Sequence, residues 1–426
     1  MKGIVDCNNF YCSCERLFQP HLKNTPVVVL SNNDGCIISR SDEAKKLGIK
    51  MAQAFFLSKP LLKAYGIVAF SSNYNLYGDL SKRVMETMES MLPSNCIEVY
   101  SVDEAFVDLG HVPAKDLHAV VKELKERIQL WTGIGVSIGV APTKTLAKIA
   151  NNLAKDNKEK SQCMLLLDTP GKVNAALKRT PVNEIWGVGK QNAAKLEKEN
   201  ILTAYDLKLI PEEWARTTLG GVVGVRLIKE LNGFHAIGFE EQLTTKKMVS
   251  CTRRFGQPLS DLAPMKEAVA MYVSRASEKL RRQNSAAKQM TVFVIEKALN
   301  RGDIYKPNEP INLEVILPVA TSNTNELIKP ALHLLEQLYK PGMVYEKAGV
   351  IISKLVPDNA VQQNFFSAAS GAENKALMEK IDNINFSMRN EKVKFASSGL
   401  KREWKMKQAL LTPKYTSRWE DLRVVK

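Results

Sequence analysis

The sequence predicts an α+β chain of several domains. A mixed sheet covered by helices comes first, then a run of short helices, then a β-α-β-β-α-β unit and a polar tail. Three observations carry this. At 426 residues the chain exceeds one hydrophobic core, since domains typically run to about 150 residues. Strand-like apolar runs alternate with helix signals over roughly the first 160 residues, the pattern of a sheet with helices packed on it. From residue 246 onward, apolar segments recur in the β-α-β-β-α-β order of a ferredoxin-like unit.

In chain order, KGIVDC reads as a short buried strand ending at Asp6, and PVVVL (26–30) as a second apolar strand. Residues 41–48 combine a serine helix start, good helix formers and a glycine stop. IEVYSVDEAFVDLG, from Ile97, reads as two strands joined by a tight turn at an acidic pair. GVSIGVAP (135–142) is another strand, and Thr143 caps a helix running to about Lys155. Residues 170–240 read as short helices, with Gly187 and Gly189 in a hairpin turn, and TTKK (244–247) as a linker. Beyond it come a strand near 246–252, a helix at 263–283, strands at 288–297 and 311–317, a helix at 324–340 and a strand at 345–354. A polar tether follows Pro357, and a basic tail bearing aromatic residues starts at about residue 385. Of these tail residues we expect no more than a small partner-binding or DNA-facing module.

Composition removes several function classes. With 45% hydrophobic and 25% charged residues the chain is an ordinary globular one. It holds no apolar run of 18 residues and opens without a secretory signal, so a cytoplasmic protein with no membrane partner is expected. Seven cysteines without a CxxC pair argue for reduced thiols over zinc. The net charge of +15 is unevenly placed: residues 1–245 hold 30 basic and 27 acidic residues, residues 246–426 hold 30 and 18. The second part would attract a polyanion, although solubility alone also explains such a surface.

Asp6 closes one strand, and Asp103 and Glu104 occupy a hairpin turn. Adjacent strands would bring the three together. Carboxylates converging with no lysine nearby repel one another, and a hard divalent cation removes that cost; otherwise they are solvated turn acids. Lys144, Lys148 and Lys155 fall within about 40° of one another around a helix. They form either a solvated face or a stripe whose inner members meet a triphosphate, while Leu146, Ile149, Ala150 and Leu153 supply the buried side. The Gly187–Gly189 turn is either an ordinary connection or a phosphate-binding hairpin.

Asp6-x-x-x-Phe10-Tyr11, SVDEAF (101–106) and LAKIANNLAK (146–155) resemble Y-family translesion DNA polymerases. DCNNFYCSCE, LSNNDGCIISRS and KYTSRWEDL bring the resemblance closest to the UmuC type, the catalytic subunit of bacterial DNA polymerase V. The resemblance spans essentially the whole chain. It implies a palm at 1–170 with fingers inserted at about 20–75, a helix-hairpin-helix thumb at 171–240, a little finger at 246–356 and a clamp-binding tether and tail at 357–426. It implies two Mg2+ ions on Asp6, Asp103, Glu104 and the Cys7 backbone carbonyl, with Tyr11 as steric gate beside Phe10. Ile37 and Ile38 would roof the nascent base pair. Ser39, Lys45 and Lys155 would meet the triphosphate. Asp42 stands where many relatives carry a phosphate-binding tyrosine, and Arg40 is the expected substitute. Gly187, Gly189, Lys190, Arg253 and Arg254 are expected on DNA. Gln362, Phe365 and Phe366 resemble the peptide that holds a sliding clamp, with Phe365 in place of the usual leucine. The expected partners are primer-template DNA, deoxynucleoside triphosphates, the clamp, accessory subunits and a recombinase filament. The expected activity is low-fidelity synthesis opposite damaged bases. A catalytically silent clamp-bound scaffold and a nucleotidyl cyclase with a palm-like domain are the alternatives.

Overall fold

The computed structural model describes residues 1–239, 246–298, 308–362, 372–388, 392–400, 402 and 404–422. The chain packs as two units, one of residues 1–31, 35–243 and 410–426, the other of 32–34 and 244–409. Among the described residues no helix is long and apolar enough to cross a membrane. All seven cysteines are unpaired thiols.

The first unit is built on strands β1 (Lys2–Cys7), β2 (Val27–Leu30), β3 (Ile37–Arg40), β4 (Val68–Ser71), β5 (Ile97–Val99), β6 (Glu104–Asp108), β7 (Val136–Ala141) and β8 (Met164–Leu166). They form a five-stranded sheet in the order β5-β6-β1-β7-β8 and a three-stranded sheet in the order β3-β2-β4. β1 lies antiparallel between β6 and β7, and β7 is buried along its whole length. Such a strand reads as a continuous apolar run, which is how VSIGVA appears in the sequence.

Helix Lys144–Asp156 lies on this sheet, capped by the Thr143 hydroxyl accepting from the Leu146 backbone N–H. The helix comes unusually close at Gly139. A Cβ there would stand 2.2 Å from the Asn151 nitrogen and 2.3 Å from the Ala147 carbonyl oxygen. Only glycine admits this approach, and it sets Lys148, Asn151 and Lys155 beside the end of β1. The short helices of 170–231 pack against the other side of helix Lys144–Asp156 through Leu177, Ile185, Leu196 and Leu231. The capping box Thr203–Asp206 fixes one of their turns.

The second unit carries β9 (Val249–Leu259), β10 (Ser285–Glu296), β11 (Ile311–Thr321) and β12 (Tyr345–Pro357), with helices Leu262–Arg282 and Thr324–Leu338 between them. The element order is the predicted β-α-β-β-α-β. The sheet joins them as β11-β10-β12-β9, with every neighbour antiparallel. The order differs from that of a ferredoxin-like sheet, also antiparallel throughout, in which the first and third strands of the unit stand together at the centre. Here the last strand takes the centre beside β10.

The C-terminal region departs most from expectation. A helix, Ala372–Ser387, follows the tether, and Arg281 grips its Asp382 through two bonds of 2.6 and 2.7 Å. Trp404 is buried edge-on against Tyr272 in the core of the second unit. Tyr415 is buried in the core of the first, stacked on Phe18 at 4.6 Å. These two side chains are core residues, whereas Trp419 is 88% exposed.

Candidate active site

The β1–β6 register places Asp6 directly opposite Glu104. The Cys7 N–H donates to the Asp103 carbonyl at 2.8 Å, which pins the turn against the end of β1. Within that turn the Tyr100 and Ser101 N–H groups both donate to the Glu104 carbonyl at 3.0 Å. The Ser101 hydroxyl donates to Asp103 Oδ1 at 2.6 Å. Asp6, Asp103 and Glu104 therefore gather at one end of the sheet, as the spacing predicted.

The expectation that no lysine lies near them fails. Lys148 Nζ donates to both Glu104 oxygens, at 2.8 and 2.9 Å, and Lys155 Nζ pairs with Asp6 Oδ2 at 2.5 Å. Asn151 Nδ2 donates to the same Asp6 oxygen at 3.3 Å. Positions 148, 151 and 155 share one helix face, and the close seat at Gly139 turns that face to the carboxylates. Lys144 leaves the stripe: it is buried, bonded to Glu98 Oε2 at 2.5 Å and to the Gly238 carbonyl at 2.6 Å. The stripe is not a solvated face: Lys144, Lys148 and Lys155 each meet a carboxylate.

Burial pushes the Asp6 carboxyl up to about 7, and the neighbouring Glu104 adds to this while Lys155 opposes it. Burial acts in the same sense on Glu104, but the hydrogen bond from Asp6 and the Lys148 ammonium outweigh it and hold Glu104 below its ordinary value. Burial and like charge thus drive the two neighbouring carboxyls apart, Asp6 raised and Glu104 lowered. Burial drives the Cys7 thiol well up, so it is no nucleophile.

Among the described residues no three His, Cys, Asp or Glu side chains are arranged to hold a metal ion, because Asp6 and Glu104 are each turned onto a lysine. The donor set nevertheless fits a hard divalent cation. It consists of carboxylate oxygens on adjacent strands, one of them buried and already drawing a cation, the Lys155 ammonium.

Tyr11 lies on helix Phe10–Leu17, stacked on Tyr77 at 4.5 Å and edge-on to Tyr74 at 6.1 Å. Phe10 points into the core. Lys45 Nζ bonds Asn9 Oδ1 at 2.5 Å and Asp42 at 3.3 Å. Asp42 also holds Lys158 at 2.5 Å. Burial works against its charge, but hydrogen bonds from Lys158 and Asn9 prevail and pull its carboxyl down to about 2. Its charge is thus already matched. Arg40 Nη1 donates to the Ile49 carbonyl at 2.7 Å, so its guanidinium ties the end of β3 to the turn at Ile49. Ser39 is buried on β3. Strand parity sends Ile37 into the small core beneath the sheet and leaves Ile38 half-buried on the other face.

Gly187 has φ +93°, and Gly189 caps helix Lys190–Lys198, whose first residue Lys190 is exposed. Arg253 and Arg254 are exposed on β9, with Arg254 bonded to Glu346 at 2.6 Å. Gln362 is exposed, while Phe365 and Phe366 lie outside the described residues. Sequence reasoning missed Asn151, Tyr100 and Trp186. The last two surround Lys148 as aromatic walls, and helical spacing from Lys155 was the only signal for Asn151.

Comparison with known proteins agrees with this geometry. Residues 5–152 match the impB/mucB/samB family, residues 246–365 its C-terminal domain, and residues 375–425 a domain of unknown function, DUF4113. The chain is 37% identical to Protein UmuC of Salmonella typhimurium over 428 residues, 100% of both chains. It is 34% identical to Protein MucB of Escherichia coli over 425 residues, 100% of this chain and 99% of the relative. With DNA polymerase IV of Brucella melitensis it shares 32% identity over 281 residues, 64% of this chain and 60% of the relative. Among solved structures, a Y-family DNA polymerase chimera of Dbh and Dpo4 superposes with TM-score 0.66 at 20% identity, covering 84% of this chain and 99% of that one. An insertion ternary complex of Dbh DNA polymerase gives TM-score 0.54 at 20% identity and the same coverage. Identity of this extent along the whole length places the chain in the impB/mucB/samB family, as a Y-family DNA polymerase of the UmuC type.

Proposed function

We propose that the chain is a template-directed, low-fidelity polymerase that inserts deoxynucleotides opposite damaged template bases. The observation that carries this reading is Asp6 opposite Glu104, with Asp103 pinned alongside through the Cys7 N–H. Asp6, Asp103, Glu104 and the Cys7 carbonyl would hold two Mg2+ ions. Such ions, when bound, acidify the primer 3′-hydroxyl and offset the charge of the triphosphate and leaving pyrophosphate.

The chain's own residues do the positioning. Lys155 is partly exposed and has Asp6 as its ion-pair partner, so it is free to move onto the triphosphate once Asp6 is otherwise neutralised. Lys45 approaches the same phosphates from the fingers, with Ser39 and Arg40 supporting the strand behind it. Tyr11, backed by Tyr77, excludes a 2′-hydroxyl, and Ile38 covers the base. The hairpin at Gly187, Gly189 and Lys190 would grip the phosphate backbone, as would Arg253 and Arg254 in the region 246–355, which holds 17 basic and 10 acidic residues. Base selection in such a site rests on shape, which discriminates weakly. Residues 362–366 would bind a sliding clamp, and accessory subunits with a recombinase filament complete the expected assembly in the cytoplasm.

The test is primer extension across an abasic template site with Mg2+, with and without such partners. Bypass that disappears in Asp103→Ala supports the reading. Activity that survives this substitution, or a cyclic product from nucleotide alone, overturns it.

A further inference from the structure

Lys148 and Lys155 neutralise neighbouring carboxylates in unlike surroundings. The Lys155 side chain retains 30% of its exposure, against 13% for Lys148. The Lys148 ammonium lies over three rings, 4.8 Å from the centre of Tyr100, 5.9 Å from Phe106 and 6.0 Å from Trp186. The rings brace one another. Tyr100 meets Phe106 edge-on at 5.4 Å and Trp186 edge-on at 5.8 Å, and Phe106 and Trp186 are 5.5 Å apart. Trp186 Nε1 donates to the Tyr100 hydroxyl at 3.1 Å. An ammonium facing aromatic walls on one side and a carboxylate on the other has no better place to go.

The walls come from different parts of the first unit. Phe106 lies on β6, Tyr100 in the turn before it, and Trp186 immediately ahead of Gly187 in the hairpin between the short helices. A shift of that hairpin would carry the Trp186 ring with it.

We propose that Trp186 is a positioning residue: it closes an aromatic box that keeps Lys148 on Glu104, so that the placement of the thumb hairpin sets the charge around the catalytic carboxylates. This rests on the polymerase reading above for the roles of hairpin and carboxylates. With the box closed, Glu104 is paired and a dication must compete with Lys148. With the box open, Lys148 leaves and the carboxylates present more negative charge.

The test measures Mn2+ binding to the full chain by electron paramagnetic resonance, without DNA or nucleotide, beside single-turnover insertion with Mg2+. Lys148→Gln is expected to bind Mn2+ about 10-fold tighter and to insert about 10-fold more slowly, since a cation is lost and Glu104 is no longer held. Misfolding would weaken both. Trp186→Ala is expected to shift both in the same directions by about 3-fold, and Trp186→Phe, which restores a wall, by less. Tyr100→Phe, which keeps the rings and removes the acceptor of the Trp186 N–H, is the mild variant should Trp186→Ala not fold. In a Lys148→Gln background, Trp186→Ala is expected to leave Mn2+ affinity unmoved, because its effect runs through Lys148. Unchanged Mn2+ affinity in Trp186→Ala and Tyr100→Phe, or an equal shift in the Lys148→Gln background, overturns the proposal. Absence of primer extension by the unaltered protein, with accessory subunits and a recombinase filament present, would overturn the polymerase reading alone and leave the Mn2+ comparison intact.

Discussion

The Tyr77 ring lies flat beneath the Tyr11 ring, 4.5 Å away with 20° between their planes. The Tyr77 hydroxyl in turn donates at 2.6 Å to buried Glu15. Tyr11 is therefore supported from below by a side chain that is itself tied down. The steric gate proposed for Tyr11 needs this, since a ring free to tilt would admit the group it would have to refuse. Tyr11→Ala is expected to raise ribonucleotide insertion roughly 30- to 100-fold, the equivalent of about 2–3 kcal/mol of relieved clash. Deoxynucleotide insertion should change by less than about 5-fold on the same scale. Gap-filling with each nucleotide type, read as the ratio of kcat/KM values, checks this.

Glu15 carries a charge problem of its own. Burial pushes its carboxyl up to about 7, although hydrogen bonds from Tyr77 and Thr412 pull the other way. A folded-state value above the unfolded 4.5 means that the native chain holds this proton more tightly. The stability it contributes is full below about pH 4.5 and is lost as pH rises toward about 7, up to an upper bound of about 3 kcal/mol. Glu15→Gln keeps an acceptor for Tyr77 and has no charge to bury. Its thermal midpoint is expected to exceed that of the unaltered protein by several degrees near pH 8 and to match it near pH 4.5. An equal gain at both pH values would show that ionisation is not the cause.

Asp103 differs from its neighbours in bonding to Ser101 and not to a lysine. Its removal leaves the Lys148–Glu104 and Lys155–Asp6 pairs intact. Asp103→Ala is accordingly expected to fold normally and to bind primer-template within about 2-fold of the unaltered protein. Single-turnover insertion should fall by roughly three orders of magnitude, the scale seen when preorganised transition-state charge is lost. Fluorescence anisotropy and rapid-quench measurements on one preparation separate the two effects.

Asp6 was legible in the sequence because a buried strand ending in an acid is costly and so informative, and because the acidic pair sits in a turn between two strand-like runs. The lysine partners of Asp6 and Glu104 were not. Helical spacing placed Lys148 and Lys155 on one face, but which way that face turned depended on how tightly Gly139 lets the helix seat, a packing matter that local pattern does not encode. The same limit explains Arg40, whose guanidinium found the Ile49 carbonyl. It also explains Trp404 and Tyr415, whose place in two cores is decided by contacts far along the chain. Ile37 was recoverable: strand parity alone sends it to the face opposite Ile38.

Lys144 and Glu98 make a pair more deeply buried than either pair at the catalytic end, with side-chain exposures of 1% and 10%. Lys144 also lies over the Phe239 and Phe106 rings, at 4.6 and 4.9 Å. Removing one partner takes from the other its close opposite charge in a buried place, whereas removing both costs little once the space is refilled. Lys144→Met is therefore expected to destabilise the first unit by about 3–5 kcal/mol. Lys144→Met with Glu98→Leu should recover most of that loss. Urea denaturation of the two single variants and the double variant gives the coupling directly. If the double variant were no more stable than Lys144→Met, the pair would be stabilising in its own right, and the region 97–99 would need Glu98 for more than charge balance.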